Sequence, residues 1–401
     1  MAVPQLEADV AVTDKLKKIL FSLVILFANL GQAFAEMMEK GKTKVKTVFN
    51  FFHQNSNDGK QVFDGSGREE ANVIEPMIFI EHQINEDTAI TGHFVFDFWT
   101  AASDTKLDGN TGASGGEPIK TQSRTSANVG AKREVKKWTY GANLGFSSEY
   151  DYSSLNGSLN ASRSFAKDNF TLGAGIQYYK DSVSLFPDLT PPGAAKIVND
   201  KDRTIVATAL TASQILTRKD IIHFGINYIK AKGFLESTAS SVSVAGVREV
   251  ENLPENRERY AASTRWVHGL SETSALNLSY RYYWDQWQAN AHTARLAYLV
   301  EINENEDFLE FFTRFHNQSA VEHYGESFDN AKAFMTSDSD VAKFNSYEAG
   351  VYHTKTLGEM GDFKLLGFDF ENVSWSNSLV YGIRSNGLRM GYLQTALTVE
   401  F

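Results

Sequence analysis

ALNLSYRYYWDQW, residues 275–287, alternates between two kinds of side chain. The apolar or aromatic set is Leu276, Leu278, Tyr280, Tyr282 and Trp284. The more polar set is Asn277, Ser279, Arg281, Tyr283 and Asp285. Because successive residues of a β-strand point to opposite faces, this pattern predicts a strand with one apolar and one polar face.

The same alternation reaches the C-terminus. Leu393, Leu397, Val399 and Phe401 share one face of the last predicted strand, and the chain ends on an aromatic residue. This ending resembles the C-terminal signal that bacterial outer-membrane proteins present to the barrel-assembly machinery. We therefore expect these four residues to form such a signal and that machinery to be a partner.

Alternation dominates the chain after residue 42, where helical periodicity is almost absent. The predicted strands reach 14 residues, longer than the usual strand of a globular protein. Aromatic residues cluster near the predicted strand ends, as in the interfacial girdles of membrane barrels: Trp99, Trp138, Tyr178, Tyr179, Trp266, Trp284 and Trp287. Because a lipid bilayer accommodates only helices and closed barrels, the prediction is an all-β, transmembrane, antiparallel up-and-down barrel.

Connection lengths give the number of strands. Counting back from Phe401 predicts strands at 388–401, 365–384, 344–356, 307–319, 289–302, 273–286, 257–270, 220–234, 202–217, 169–182, 152–165, 136–148, 120–132, 89–100, 72–84 and 44–53. A turn at Arg133–Val135 keeps every long connection on one side of the barrel, as outer-membrane barrels require. The prediction is sixteen strands, with fourteen as the alternative.

The N-terminus has the pattern of a secretory signal peptide. Lys15, Lys17 and Lys18 precede a short apolar run, and Ala33 and Ala35 supply the small residues of a cleavage site. The alternative, a membrane anchor, requires a longer apolar run. We expect residues 1–35 to be a cleaved signal, 36–43 a periplasmic segment and 44–401 a barrel in the outer membrane of a Gram-negative bacterium.

Composition excludes several classes of function. The net charge of −10 argues against a nucleic-acid partner, and the absence of Cys excludes thiol catalysis and Cys-ligated metals. Residues 112–116 match G-x-S-x-G, but they lie in a Gly-rich stretch with no strand–turn–helix context. The His residues lack the spacing of metal hydrolases. We expect no enzymatic activity, no metal and no cofactor.

Several segments resemble a known family. Residues 251–257 read ENLPENR, residues 280–287 read YRYYWDQW, and Ala291-His292-Thr293 follows. These segments, with the small-residue stretch 112–115, are similar to the bacterial outer-membrane barrel family called domain of unknown function 3570. The resemblance runs from about residue 43 to the C-terminus and implies a barrel in the outer membrane. It also implies an association with extracytoplasmic redox proteins.

Charged residues cluster on the predicted inward faces between residues 257 and 316. This set, the predicted strip, is Arg257, Arg259, Arg265, Arg281, Asp285, Arg295, Glu310, Arg314 and His316. One interpretation is a lattice of ion pairs that stiffens the wall. The other is a basic strip that favours anions in the lumen.

Three functions remain open on the sequence. The first is a pore for small solutes, and the second is a scaffold or sleeve whose lumen holds a periplasmic, surface or redox partner. An outer-membrane hydrolase ranks last. Membrane lipid and lipopolysaccharide are expected partners, and the oligomeric state is not predicted.

Overall fold

The computed structural model describes residues 37–56, 66–105, 122–149, 152–184, 200–236, 241–303, 307–358, 364–365, 368–370 and 372–401. The predicted signal peptide with Ala33 and Ala35, the stretch 112–116 and most of the long loops lie outside these residues. Within the described residues, no helix combines the length and apolarity needed to cross a membrane.

Sixteen strands form one closed antiparallel barrel. They are β1 Thr43–Ser56, β2 Ser66–Asn85, β3 Thr88–Thr105, β4 Gln122–Val135, β5 Trp138–Ser148, β6 Tyr152–Phe165, β7 Phe170–Ser184, β8 Asp200–Ile215, β9 Asp220–Gly233, β12 Asn256–Gly269, β13 Ser274–Asp285, β14 Asn290–Asn303, β15 Asp307–Gln318, β16 Phe344–Gly358, β19 Val373–Arg384 and β20 Leu388–Glu400. Two short hairpins lie between them, β10 Ser241–Val244 with β11 Val247–Val250, and β17 Lys364–Leu365 with β18 Phe368–Asp369. Within the described residues, a 3-10 turn spans Ser339–Val341.

Each barrel strand pairs with its neighbours along the chain, and β1 pairs with β20 to close the ring. The closure extends past the last strand residue, because Thr43 N donates to Phe401 O at 2.7 Å and Phe401 N donates to Thr43 O at 3.0 Å. The predicted up-and-down order and the count of sixteen strands are confirmed, and the alternative of fourteen is wrong.

The two ends of the barrel differ, and we call them the turn end and the loop end. The turn end carries connections such as 86–87, 136–137, 166–169, 216–219 and 270–273. The loop end carries long connections such as 234–255 and 319–343 and three short ones (149–151, 286–289 and 385–387). The turn end also carries one long connection, 359–372, so the prediction that every long connection lies on one side is wrong.

Two predicted boundaries at the turn end are wrong. The turn predicted at Arg133–Val135 lies at residues 136–137, where Lys136 has a φ of 58°. The strand predicted from residue 365 begins at Val373, and Lys364–Leu365 pairs with Phe368–Asp369 as the separate β17–β18 hairpin.

The side-chain alternation places apolar residues outside and polar residues inside. Leu144 and Leu155, on the outward face, are 74% and 66% exposed. Among the most deeply buried side chains are Gln83, Asp181 and Glu310, which face the lumen. The barrel therefore has an interior rich in polar groups and an apolar exterior.

Candidate functional site in the barrel lumen

The predicted strip lies on the inward faces of β12–β15. The residues between its members, such as Trp266, Leu278 and Phe311, are exposed on the outer surface of the barrel. We call the inward faces of β12–β16 the arginine wall.

At the loop end of the arginine wall, Arg257 and Asp285 form a buried ion pair. The Arg257 guanidinium donates from Nε at 2.9 Å and from Nη2 at 2.5 Å to Asp285 Oδ2. Tyr283 Oη donates to the same oxygen at 2.7 Å, and the guanidinium lies over the Trp287 ring at 4.3 Å. Backbone Ala289 N donates to Asp285 Oδ1 at 2.9 Å, so the carboxylate also fixes the β13–β14 turn. We call this group the arginine–tryptophan cluster.

The arginine–tryptophan cluster explains the segments that resemble the family. Arg257 ends the ENLPENR segment, and Tyr283, Asp285 and Trp287 belong to YRYYWDQW. Tyr280 of the same segment faces outward, and its Oη lies 2.6 Å from His292 Nδ1. The characteristic residues thus tie three neighbouring strands together at one end of the barrel.

Two further arginines pair with carboxylates in the middle of the wall. Arg295 bonds Glu310 and lies over the Phe312 ring at 4.3 Å. Arg314 bonds Glu348 on β16, a residue outside the predicted strip. Alternation alone would have placed Glu348 inward, but its register against Arg314 depends on a 25-residue connection, 319–343, that the sequence does not fix.

Arg259 and Arg281 make no ion pair with any carboxylate that the structure describes. Arg281 is exposed to the lumen, with its guanidinium 6.0 Å from the centre of the Tyr283 ring. Arg265 lies near enough to Arg295 and Glu310 to interact electrostatically with both. The wall therefore combines paired arginines with Arg281, which makes no ion pair, and with Arg259, which is attracted to Asp285, a carboxylate already paired with Arg257.

His316 differs from the rest of the strip. Its Nδ1 lies 2.8 Å from Thr293 Oγ1 and its Nε2 lies 3.1 Å from Gln318 Oε1, so both ring nitrogens have neutral partners. Its ring also packs against Phe344. We assign His316 a packing role.

The opposite wall, the inward faces of β4–β7, carries small polar residues. We call it the glycine–asparagine wall, and its members include Ser126, Asn128, Gly130, Gly141, Asn143, Gly145, Ser158, Asn160, Gly173 and Gly175. Inward asparagines lie opposite glycines, as in the pairs Asn128↔Gly145 and Asn143↔Gly130. A Cβ on Gly145 would lie 1.8 Å from Asn128 Oδ1, so the asparagine amides pack directly against the glycine backbone. The side chains of this wall therefore project little into the lumen.

The loop end is partly covered by two connections that pack together. Residues 242–244 of the β10–β11 hairpin form an apolar cluster with Phe328 and Met335. Arg384, at the inward loop end of β19, donates to Asp340 Oδ1 at 2.7 Å and to Ser339 O at 2.8 Å. Connection 319–343, which joins β15 to β16, is thereby also held by β19, the next strand of the barrel.

The residues of the predicted C-terminal signal lie on β20 and just after it. Leu393 and Leu397 are exposed on the outer surface, and the Phe401 ring contacts Phe370 edge-on at 5.8 Å. Val399 pairs with Val45 at the β1–β20 seam. Phe401 thus lies where the ring of strands closes.

Several solved structures share the barrel arrangement. A bacterial polysaccharide outer membrane secretin is 9% identical with a TM-score of 0.47, covering 90% of this chain and 98% of that chain. The outer membrane protein OpdK from Pseudomonas aeruginosa is 7% identical with a TM-score of 0.43, covering 91% and 99%. A FadL homologue from Pseudomonas aeruginosa is 11% identical with a TM-score of 0.41, covering 92% and 93%. At these TM-scores we draw no functional conclusion from the likeness.

No curated protein matches this chain. A family model does match, over residues 30–371, and its description is "Protein of unknown function (DUF3570)". The match contains every segment that carries the resemblance to the family, namely 112–115, 251–257, 280–287 and 291–293. The chain therefore belongs to the DUF3570 family.

Proposed function

We propose that the protein is an outer-membrane pore for small solutes whose lumen favours anions, and that it carries out no catalytic step. The outer surface supports the membrane location. Large apolar side chains such as Leu144, Leu159 and Leu210 are more than half exposed there, far beyond what a soluble monomer presents to water. The loop end would face outward and the turn end the periplasm, with Phe401 read by the assembly machinery.

The observation that carries the anion preference is the pair of lumenal arginines that make no ion pair with a described carboxylate, Arg259 and Arg281. A fixed positive charge in a narrow aqueous passage raises the local concentration of anions. The glycine–asparagine wall supports an open passage, because its short side chains leave space opposite the arginines.

A second function, a sleeve that holds a partner, is favoured by the packed connections at the loop end. Asn252 of connection 234–255 exchanges backbone hydrogen bonds with Met335 of connection 319–343, so the two connections meet over part of the rim. Such an arrangement also fits a barrel whose lumen is occupied by a periplasmic or redox partner and conducts nothing by itself.

Single-channel recording in a planar bilayer with a salt gradient tests the proposal. We expect stable open steps and a reversal potential that shows anion preference. Arg281→Ala should lower the anion-to-cation permeability ratio about 6-fold at low salt, since a unit charge ~8 Å away in water favours an anion and disfavours a cation by about 0.5 kcal/mol each. A folded barrel that never conducts would overturn the pore and favour the sleeve.

Two matched variants separate charge from structure. Arg281→Lys keeps the lumenal charge and should retain the anion preference. Arg133→Ala removes an exposed arginine on the outside of the barrel, and it should leave the reversal potential unchanged. If all three variants behave alike, the arginine wall is a structural lattice and not a filter.

A further inference from the structure

A polar cavity of about 730 Å³ lies in the lumen away from the predicted strip. Its walls come from β1–β4 on one side and from β16, β19 and β20 on the other, spanning the seam where the barrel closes. The volume falls within the range of about 300–1,000 Å³ that small-molecule sites occupy. The family signature residues contribute nothing to it.

The strand register arranges the lining of this cavity as one transverse row. Neighbouring members face each other across successive strand pairs or touch through their side chains: Arg124, Asp97, Glu75, Asn50, Gln394, Ser378 and Tyr352. We call this set the polar row. It presents carboxylate, guanidinium, amide and hydroxyl groups, which between them donate and accept hydrogen bonds.

The hydrogen-bonded pairing of β2 with β3 is interrupted at the centre of the polar row. Pairing between β2 and β3 passes from Ile74↔Phe98 to Met77↔Val95 with no pair between them. Pro76 lies in this gap and has no N–H to donate to the ladder, which is why proline is uncommon inside a central strand. The register is the same on both sides of this gap, so Glu75 lies opposite Asp97, and their carboxyl groups are in contact beside the cavity.

Three buried polar atoms around the cavity have no hydrogen-bond partner among the described residues: Asn50 Oδ1, Asp97 Oδ1 and Ser378 Oγ. Asp97 and Ser378 are each only 4% exposed. Two of the three atoms accept hydrogen bonds and do not donate, so a matching ligand must supply O–H or N–H donors. Buried polar atoms in folded proteins are nearly always paired, so each of these three atoms calls for a water or solute partner that the protein does not supply.

An aromatic step borders the polar row on its loop-end side. Phe52 pairs with Tyr392 across the β1–β20 seam, and Tyr392 Oη lies 2.9 Å from Tyr352 Oη. The charges of the lining almost cancel, since it contains two basic residues, Lys46 and Arg124, and three acidic residues, Glu75, Asp97 and Glu149. A neutral ligand with many hydroxyls and an apolar face suits this combination better than an ion does.

We propose that this cavity binds a neutral polyhydroxylated solute of mono- or disaccharide size. The polar row bonds the solute's hydroxyl groups, and the ring faces of Phe52 and Tyr392 pack against its carbon skeleton. The proposal rests on the proposed pore for its role in transport, but binding itself does not require conduction.

Isothermal titration calorimetry on the purified, full-length folded barrel in detergent tests the site, with maltose and sucrose as neutral probes. We expect saturable binding of at least one sugar. Asn50→Ala and Ser378→Ala should each weaken it about 2- to 10-fold, as expected for the loss of one hydrogen bond. Asn143→Ala, the same change on the glycine–asparagine wall, should leave binding unchanged.

Gluconate and lysine serve as anionic and cationic probes of the same variants. Failure of both sugars to bind a barrel of heat-modifiable, folded mobility would overturn the proposal. So would binding of a sugar that neither Asn50→Ala nor Ser378→Ala weakens. Tighter binding of gluconate or lysine, sensitive to the same two variants, would overturn the assignment to a neutral ligand. Sugar binding by a barrel that does not conduct would reject the pore and leave this site standing.

Discussion

The arginine wall and the glycine–asparagine wall follow the same alternation and the same strand pairing, yet they fill the lumen differently. Inward residues of the first wall, such as Ala297 and Glu310, are almost completely buried under arginine and aromatic side chains. Inward residues of the second wall between Thr139 and Ser147 remain partly accessible. In a barrel of fixed strand number, inward side-chain volume therefore decides which part of the lumen stays open.

The arginine–tryptophan cluster gives the largest expected effect. Arg257→Ala removes the cation from a buried, multiply bonded carboxylate and should destabilise the barrel by about 3–5 kcal/mol, because Asp285 is left buried and unpaired. Arg281→Ala is the matched control on the arginine wall, since Arg281 makes no ion pair, and should cost less than about 1 kcal/mol. Urea unfolding from lipid vesicles, followed by tryptophan fluorescence, measures both.

If Arg257→Ala and Arg281→Ala lowered the free energy of unfolding equally, burial and ion pairing would not distinguish the two arginines. A double variant, Arg257→Met with Asp285→Asn, sharpens the comparison. It removes both charges together and should recover part of the lost stability, because a buried ion pair contributes little net free energy against a well-packed neutral pair.

The fold was largely predictable from the sequence, and particular residues show why. Alternation alone assigned Leu278 to the outer face of the barrel and Arg281 to the lumen, so the two faces of each strand could be distinguished without a structure. The strand that ends at Arg384 was predicted to begin at residue 365 and begins at Val373. Leu365, Leu366 and Phe368 are residue types that also occur in strands, so the sequence does not mark this boundary. Alternation carries no information on where a strand turns back.

The candidate sites were predictable only in part, for a geometric reason. Glu348 and the polar row depend on register across long connections or across the closing seam between β1 and β20. The residues that meet there, such as Asn50 and Gln394, are separated by most of the chain. The break at Pro76 was a readable signal, since a proline within an alternating strand marks an interrupted ladder.

Filling the glycine–asparagine wall should break the contrast between the two walls. Gly175→Trp places a large side chain in the lumen at a position where a Cβ meets only ordinary contacts, the nearest at 3.8 Å. We expect single-channel conductance to fall by roughly half, because the added ring occupies the part of the cross-section that short side chains leave open.

Ala174→Trp is the matched control for this change. Ala174 precedes Gly175 on the same strand and faces outward, so the new ring enters lipid and should leave the conductance as it was. A similar loss of conductance in both variants would mean that the effect comes from distortion of β7 and not from filling the lumen.

The smallest expected effect concerns Asp338, in the connection that covers part of the loop end. Burial is the main cause that raises the pKa of this carboxyl above its usual 3.8, and Arg384 and Arg257 oppose the shift. Asp338 therefore binds its proton more tightly when connection 319–343 is packed against the barrel than when the connection is detached from it. The packing of connection 319–343 against the barrel therefore becomes less stable as the pH rises from 3.8 through the raised pKa of Asp338. Above that pKa the loss of stability is complete and does not increase further.

Asp338→Asn stays neutral at every pH and keeps an oxygen that accepts from Asp340 N, as Asp338 Oδ1 does at 2.9 Å. We expect residues 319–343 of the variant to be better protected from hydrogen exchange than wild type near neutral pH, and equally protected in acid. Exchange rates are compared between the two proteins at each pH, so intrinsic effects of pH cancel. Protection that differs equally at both pH values would contradict a titration of Asp338, since an uncharged difference in packing does not depend on pH.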